Sequence, residues 1–126
     1  MIGGTYAAKL LFEYCVFVRG IPNARRLCEE QLRLVTARTA RGALREANWQ
    51  GRASQYRYRN GKGNPVHLRF VGVIGLLHIG AEFEPNEVWY SITERVRPME
   101  RRRDVVPRPK DLNAIRDEKL LLGRLA

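Results

Sequence analysis

Two histidines, two cysteines and a few clustered carboxylates are the residues of this sequence whose types could carry chemistry. His67 and His78 stand eleven apart on a segment of strand character, so their side chains point to opposite faces and share no site. Cys15 and Cys28 have no Cys-x-x-Cys spacing and no neighbouring histidine, and read as reduced, buried thiols. Ser54 and Ser91 lack the Gly-x-Ser-x-Gly setting of an exposed nucleophile. Glu82, Glu84 and Glu87 lie close together but without the residue order of a calcium loop, which makes them a solvated turn. Gly61, Lys62 and Gly63 resemble part of a phosphate loop, yet they precede a strand rather than a helix and read as turn chemistry. No catalytic set, metal site or cofactor site emerges, and the expectation is a protein that is not an enzyme.

Arginine is what the sequence concentrates. The chain of 126 residues has 23 Lys and Arg against 13 Asp and Glu, a formal charge of +10. Nine basic residues lie between Arg33 and Arg69 against the single acid Glu46, and seven between Arg95 and Lys110 against Glu100 and Asp104. Arg41, Arg45, Asn48 and Arg52 recur at the spacing of one helical stripe. Trp49, Tyr56 and Tyr58 are interleaved with Arg57 and Arg59, and Trp89 shares a strand phase with Arg95 and Arg97. These eleven side chains other than Asn48 form the expected partner-binding set. A guanidinium pairs bidentately with carboxylate or phosphate, and aromatics beside it anchor protein interfaces or stack on unpaired bases.

The elements that must position these residues follow from period and punctuation. Tyr6, Ala8, Leu10, Phe12, Tyr14, Val16 and Val18 alternate with Lys9 and Glu13, predicting a strand over 5–18. The turn residues Gly20, Pro22 and Asn23 lead to a returning strand over 30–36. Thr39 is an N-cap, and Ala40, Ala43, Leu44 and Ala47 recur at helical spacing until Gly51 offers a stop. Tyr56 to Arg59 lead into residues 60–65, which are rich in Gly and Asn and read as a turn or loop. Residues 66–79, apolar on both phases with Gly72 and Gly75 inside, read as a central strand with a bulge or a close backbone approach. Residues 87–97 predict a strand with Val88, Tyr90, Ile92 and Val96 inward, and Trp89, Arg95 and Arg97 on the wet face. The resulting fold class is α+β, an antiparallel sheet of about four strands in the order β-β-α-β-β-α with one main helix on a face and a short C-terminal helix over 111–122.

The length suits one folding unit, divided into an α+β domain over 1–97 and a basic linker with its helix over 98–126. The start has no basic region followed by an apolar run, and no segment is long and apolar enough to span a bilayer, so a cytoplasmic location with no membrane partner is expected.

Several stretches resemble a bacterial family of uncharacterised domains, DUF4288. They are Tyr6-Ala7-Ala8-Lys9-Leu10-Leu11-Phe12, Ala37-Arg38-Thr39-Ala40-Arg41-Gly42-Ala43-Leu44, Tyr58-Arg59-Asn60 ahead of Gly63-Asn64, Phe70-Val71-Gly72-Val73 and Glu87-Val88-Trp89-Tyr90-Ser91. The resemblance covers about residues 5–97, with Thr5-Tyr6 where the family usually opens Trp-Tyr. It implies no activity, cofactor or catalytic residue. Compact domains of this kind are similar in size to immunity proteins encoded beside bacterial toxins. Charge and resemblance together lead to the expectation of an immunity protein that binds and neutralises a toxin with an acidic surface. Nucleic-acid binding through the same Arg and Tyr residues is the alternative.

Overall fold

The computed structural model describes residues 4–79 and 89–125, with backbone alone at 89–92 and 121–125. The alternating first segment forms a 15-residue strand, β1 (Gly4–Val18). A two-residue strand, β2 (Ile21–Pro22), pairs with its end, and β3 (Arg25–Ala37) then returns along it. Helix α1 (Ala40–Ala53) is followed by β4 (Tyr56–Arg59), β5 (Pro65–Ile79) and β6 (Trp89–Val96). The chain closes with a single turn of helix, α2 (Arg102–Val105), a 3-10 turn at Pro109–Asp111 and helix α3 (Asn113–Leu125). Every described strand pair is antiparallel, and the sheet runs β4-β5-β1-β3-β6 with β2 beside β1.

The α+β class and antiparallel sheet are as the sequence predicts, but six strands replace the expected four. The segment 56–59, which the expected order leaves outside any strand, is itself a strand, because Tyr56 to Arg59 pair residue by residue with Leu68 to Pro65. The second long strand begins at Arg25 and not near residue 30, extended by its pairing with β6. In β5, Val71 and Ile74 are the extra residues of two bulges against β1. Two insertions preserve parity, so His67 and His78 do occupy opposite faces. His78 stacks on Tyr6 at 4.6 Å, and His67 lies against Phe17 at 4.5 Å.

Both faces of the sheet are covered. On one, Tyr6, Ala8, Leu10 and Phe12 pack with Val35, Leu68, Phe70, Val73 and Leu76 beneath α1 and the residues around α3. The α1 side of this contact is made of Ala40, Ala43, Ala47 and Gly51, so the helix lies close to the strands. Gly51 is not a helix stop. The helix runs two residues beyond it, and a β-carbon at Gly51 would collide with the Phe70 ring. Glu118 of α3 accepts hydrogen bonds from the Ala40 N–H at 2.7 Å and the Tyr6 hydroxyl at 2.9 Å. Its carboxylate therefore meets the positive end of α1 and ties the two helices together.

The opposite face is covered by a segment expected to be an extended linker. Leu11, Cys28 and Val71 are buried there under Met99, Val105 and Val106, and Pro98 is itself buried. Gly72 admits this strap, because a β-carbon on it would lie 2.7 Å from a Val106 methyl.

A buried ion network fixes the strap. Glu13 is fully buried and accepts from Arg26 at 3.1 Å, from Arg69 Nε at 2.7 Å and from the Met99 N–H at 3.1 Å. Arg26, 1% exposed, gives its remaining donors to the Asn23 carbonyl at 2.7 Å and to both Glu100 oxygens at 2.6 and 2.9 Å. Burying these charges is expensive, and only complete pairing offsets the lost hydration. The hydrogen bonds from Arg26 hold the Glu100 carboxyl below its usual pKa, so its contribution is complete above the ordinary carboxylate range and disappears as pH falls through the lowered value.

Three substitutions test this packing. Gly51→Ala improves helix propensity by at most about 1 kcal/mol, but overpacking against Phe70 costs about 1–3 kcal/mol, so denaturant unfolding should show net destabilisation. Glu13→Ala should lose about 3–5 kcal/mol, because two guanidinium groups lose their buried partner. Glu100→Gln, at a half-exposed position, should cost far less and should flatten the acid limb of a stability-versus-pH curve.

Candidate partner-binding surface

The alanine face of α1 is spent on the sheet, which leaves Arg41, Arg45 and Arg52 exposed on the outer side, with Trp49 63% exposed between them. Thr39 caps the helix by accepting from the Gly42 N–H at 3.0 Å. Asn48 of the predicted stripe is half-buried. Among the described residues, none of Arg41, Arg45 and Arg52 forms an ion pair.

The tyrosine and arginine pairs that follow are separated by the pleat. Tyr56 and Tyr58 stand opposite Leu68 and Val66, on the helix side, with their rings 5.8 Å apart. Arg57 and Arg59 stand opposite His67 and Pro65, on the strap side. Both arginines are exposed and, among the described residues, without a carboxylate; Arg59 donates to the Gly63 carbonyl at 2.8 Å. Burial pushes the His67 pKa down, reinforced by the charges of Arg57 and Arg69. A groove of about 180 Å³ between Tyr56, Arg57, His67 and Arg69 follows this edge.

Arg95 and Arg97 are not beside β4, since β6 is the opposite edge of the sheet. Arg95 pairs across from Arg26 on the strap side. It is half-buried, and its Nε has no partner among the described residues. The expected wet and dry phases are thus reversed at this end of the strand, where Val96 is exposed. Arg97 is exposed just past the strand at φ 45°, its N–H bonded to the Ala24 carbonyl. The Trp89 side chain and the acidic trio Glu82, Glu84 and Glu87 lie outside the described residues. The ten expected residues whose side chains are described therefore do not form one patch: α1 with Tyr56 and Tyr58, the Arg57 and Arg59 edge, and the Arg95 and Arg97 end of β6 are three places.

A polar row beside the tyrosines was not legible in the sequence reading. Tyr14 donates to Glu29 at 2.9 Å, Gln31 donates to Glu29 at 3.2 Å, and Arg33 donates to Gln31 at 2.6 Å and to Ser54 at 3.2 Å. Burial, then the Glu29 carboxylate, pushes the Tyr14 hydroxyl up, so it stays a donor. The signal available was the alternation Glu29, Gln31, Arg33, which stands opposite Phe12, Leu10 and Ala8 and needed the strand pairing to be seen.

The thiols are poorly suited to nucleophilic work. Burial raises Cys15 and pushes Cys28 up to about 11, so both are protonated at neutral pH. Two further grooves lie elsewhere, one between Thr39, Arg41, Lys110 and Lys119, the other between Arg102, Arg103, Val106 and Arg108. The surface is thus strongly cationic around α1 and β4, where no carboxylate pairs with the arginines among the described residues.

Among the described residues, no helix is long and apolar enough to cross a membrane. No curated protein and no solved structure matches the chain. Residues 5–88 match the family model described as a domain of unknown function, DUF4288, and the chain belongs to that family.

Proposed function

We propose that this protein is a binding module for an acidic protein surface, acting as an immunity-type inhibitor that occludes a cognate toxin. The observation that carries this reading is the division among its arginines. Arg26 and Arg69 are saturated by Glu13 and Glu100, whereas Arg41, Arg45, Arg52, Arg57 and Arg59 are exposed without a carboxylate partner among the described residues. Exposed, unpaired guanidinium groups accelerate encounter with an acidic partner and fix its register by bidentate contacts. Trp49 and the Tyr56–Tyr58 pair supply the large amphipathic contacts on which interface energy concentrates.

The pleat favours a protein over a nucleic acid as the partner. A single strand stacked on Tyr56 and Tyr58 would leave Arg57 and Arg59, which point to the other side, without phosphate, so its backbone contacts would fall to the arginines of α1 alone. Glu29, bonded to Tyr14, lies on the same face of the sheet as these rings and repels phosphate.

The product of the adjacent reading frame should co-purify with this protein and protect Arg-rich α1. Reversing charge with Arg41→Glu, Arg45→Glu and Arg52→Glu should weaken that complex by about tenfold or more, mainly through slower association that is already slowed by salt. Unchanged affinity in the triple variant would sink the assignment. So would tighter, steeply salt-dependent retention of RNA or DNA by the wild-type protein.

A further inference from the structure

We infer that β4 is an acceptor edge, onto which an extended acidic segment of a partner protein adds as a further antiparallel strand. This deepens the reading above and rests on it for the acidic character of the partner. Among the described residues β4 ends the sheet, its four residues are all exposed, and it pairs with β5.

The hairpin fixes which backbone groups face outward. The Asn60 N–H donates to the Asn64 carbonyl at 3.0 Å, which makes these two a hydrogen-bonded pair. Antiparallel pairs alternate between bonded and non-bonded. Arg59 and Pro65 are then a non-bonded pair, as a proline without an N–H allows, Tyr58 and Val66 a bonded one, and Arg57 and His67 again non-bonded. The N–H and carbonyl of Tyr58 therefore point inward to β5, and those of Arg57 and Arg59 point outward to the open edge.

The residues that offer free main-chain groups are thus the ones that bear arginine. A partner residue bonded to the backbone of Arg57 or Arg59 would also project its side chain to the same face as that guanidinium. A glutamate or aspartate there completes a cross-strand ion pair, while the alternate partner residues lie beside Tyr56 and Tyr58 and suit an apolar or β-branched side chain. A second copy of this chain is disfavoured, because every hydrogen-bonded antiparallel register of β4 with itself sets arginine opposite arginine. The edge refuses its own kind and matches strands that alternate acid with apolar residues.

The test uses the full chain and a seven-residue peptide alternating glutamate with valine, blocked at both ends. Titration should shift the Arg57 and Arg59 amide resonances and slow their exchange with solvent, leaving those of α2 unchanged. N-methylation at the glutamates removes the donors facing β4 and should weaken binding by at least about tenfold, whereas N-methylation at the valines should leave it within about twofold. Arg57→Glu with Arg59→Glu, verified as folded by circular dichroism, should abolish the response. Equal affinity of the two methylated peptides, or no response to the parent peptide at millimolar concentration, overturns strand addition while leaving the α1 surface to its own test. Displacement of the peptide by a uridine oligomer that shifts the same amides overturns both readings in favour of a nucleic acid.

Discussion

Glu13 is the point on which the two sides of this structure depend. It is a fully buried carboxylate at the middle of the central strand, on the face away from α1. Left unpaired there it would be severely destabilising, and its surroundings answer with two arginines and a main-chain N–H. Those bonds link three strands to the strap: Arg26 comes from β3, Arg69 from β5 and Met99 from beyond β6. The hydrophobic cover of Leu11, Cys28 and Val71 by Met99, Val105 and Val106 is held in place by a polar anchor at its edge.

The same network sorts the arginines into two populations with different work. Those that satisfy Glu13 and Glu100 are structural, and their charge is neutralised within the fold. The arginines of α1 and β4 sit where the covering layers stop, on the outer face of the helix and at the last strand, with no carboxylate paired to them among the described residues. Net charge alone would not have distinguished these populations. Their positions do, and they give the +10 excess a direction rather than a uniform spread.

Much of the frame is legible in the sequence because single elements carry strong periods. The alternation from Tyr6 to Val18 and the alanines from Ala40 to Ala47 place β1 and α1, and Thr39 marks the helix start. What escapes depends on pairing between distant segments. Tyr56 to Arg59 is too short to announce a strand until β5 is set beside it. The strap reads as linker because Pro98, Met99, Val105 and Val106 follow no period, being arranged to fit a surface and not to repeat. The phase holding Lys9 and Glu13 looks wet, yet Ala7, Leu11, Cys15 and Phe17 share it. An apolar set on both phases is the signature of a strand covered on both faces, and it makes Glu13 a buried charge in need of partners. The candidate surface is legible in its residue types and not in its grouping, since the pleat divides Tyr56 and Tyr58 from Arg57 and Arg59.

The most direct measurement is an amide-exchange footprint of the chain with the proposed partner, the product of the adjacent reading frame. Slowed exchange on the outer turns of α1 and at Arg57 and Arg59, with Arg102 to Val105 unchanged, is the predicted pattern. Protection confined to the strap or to the β6 end, with α1 and β4 exchanging as in the free protein, would contradict the assignment of the unpaired arginines to the partner.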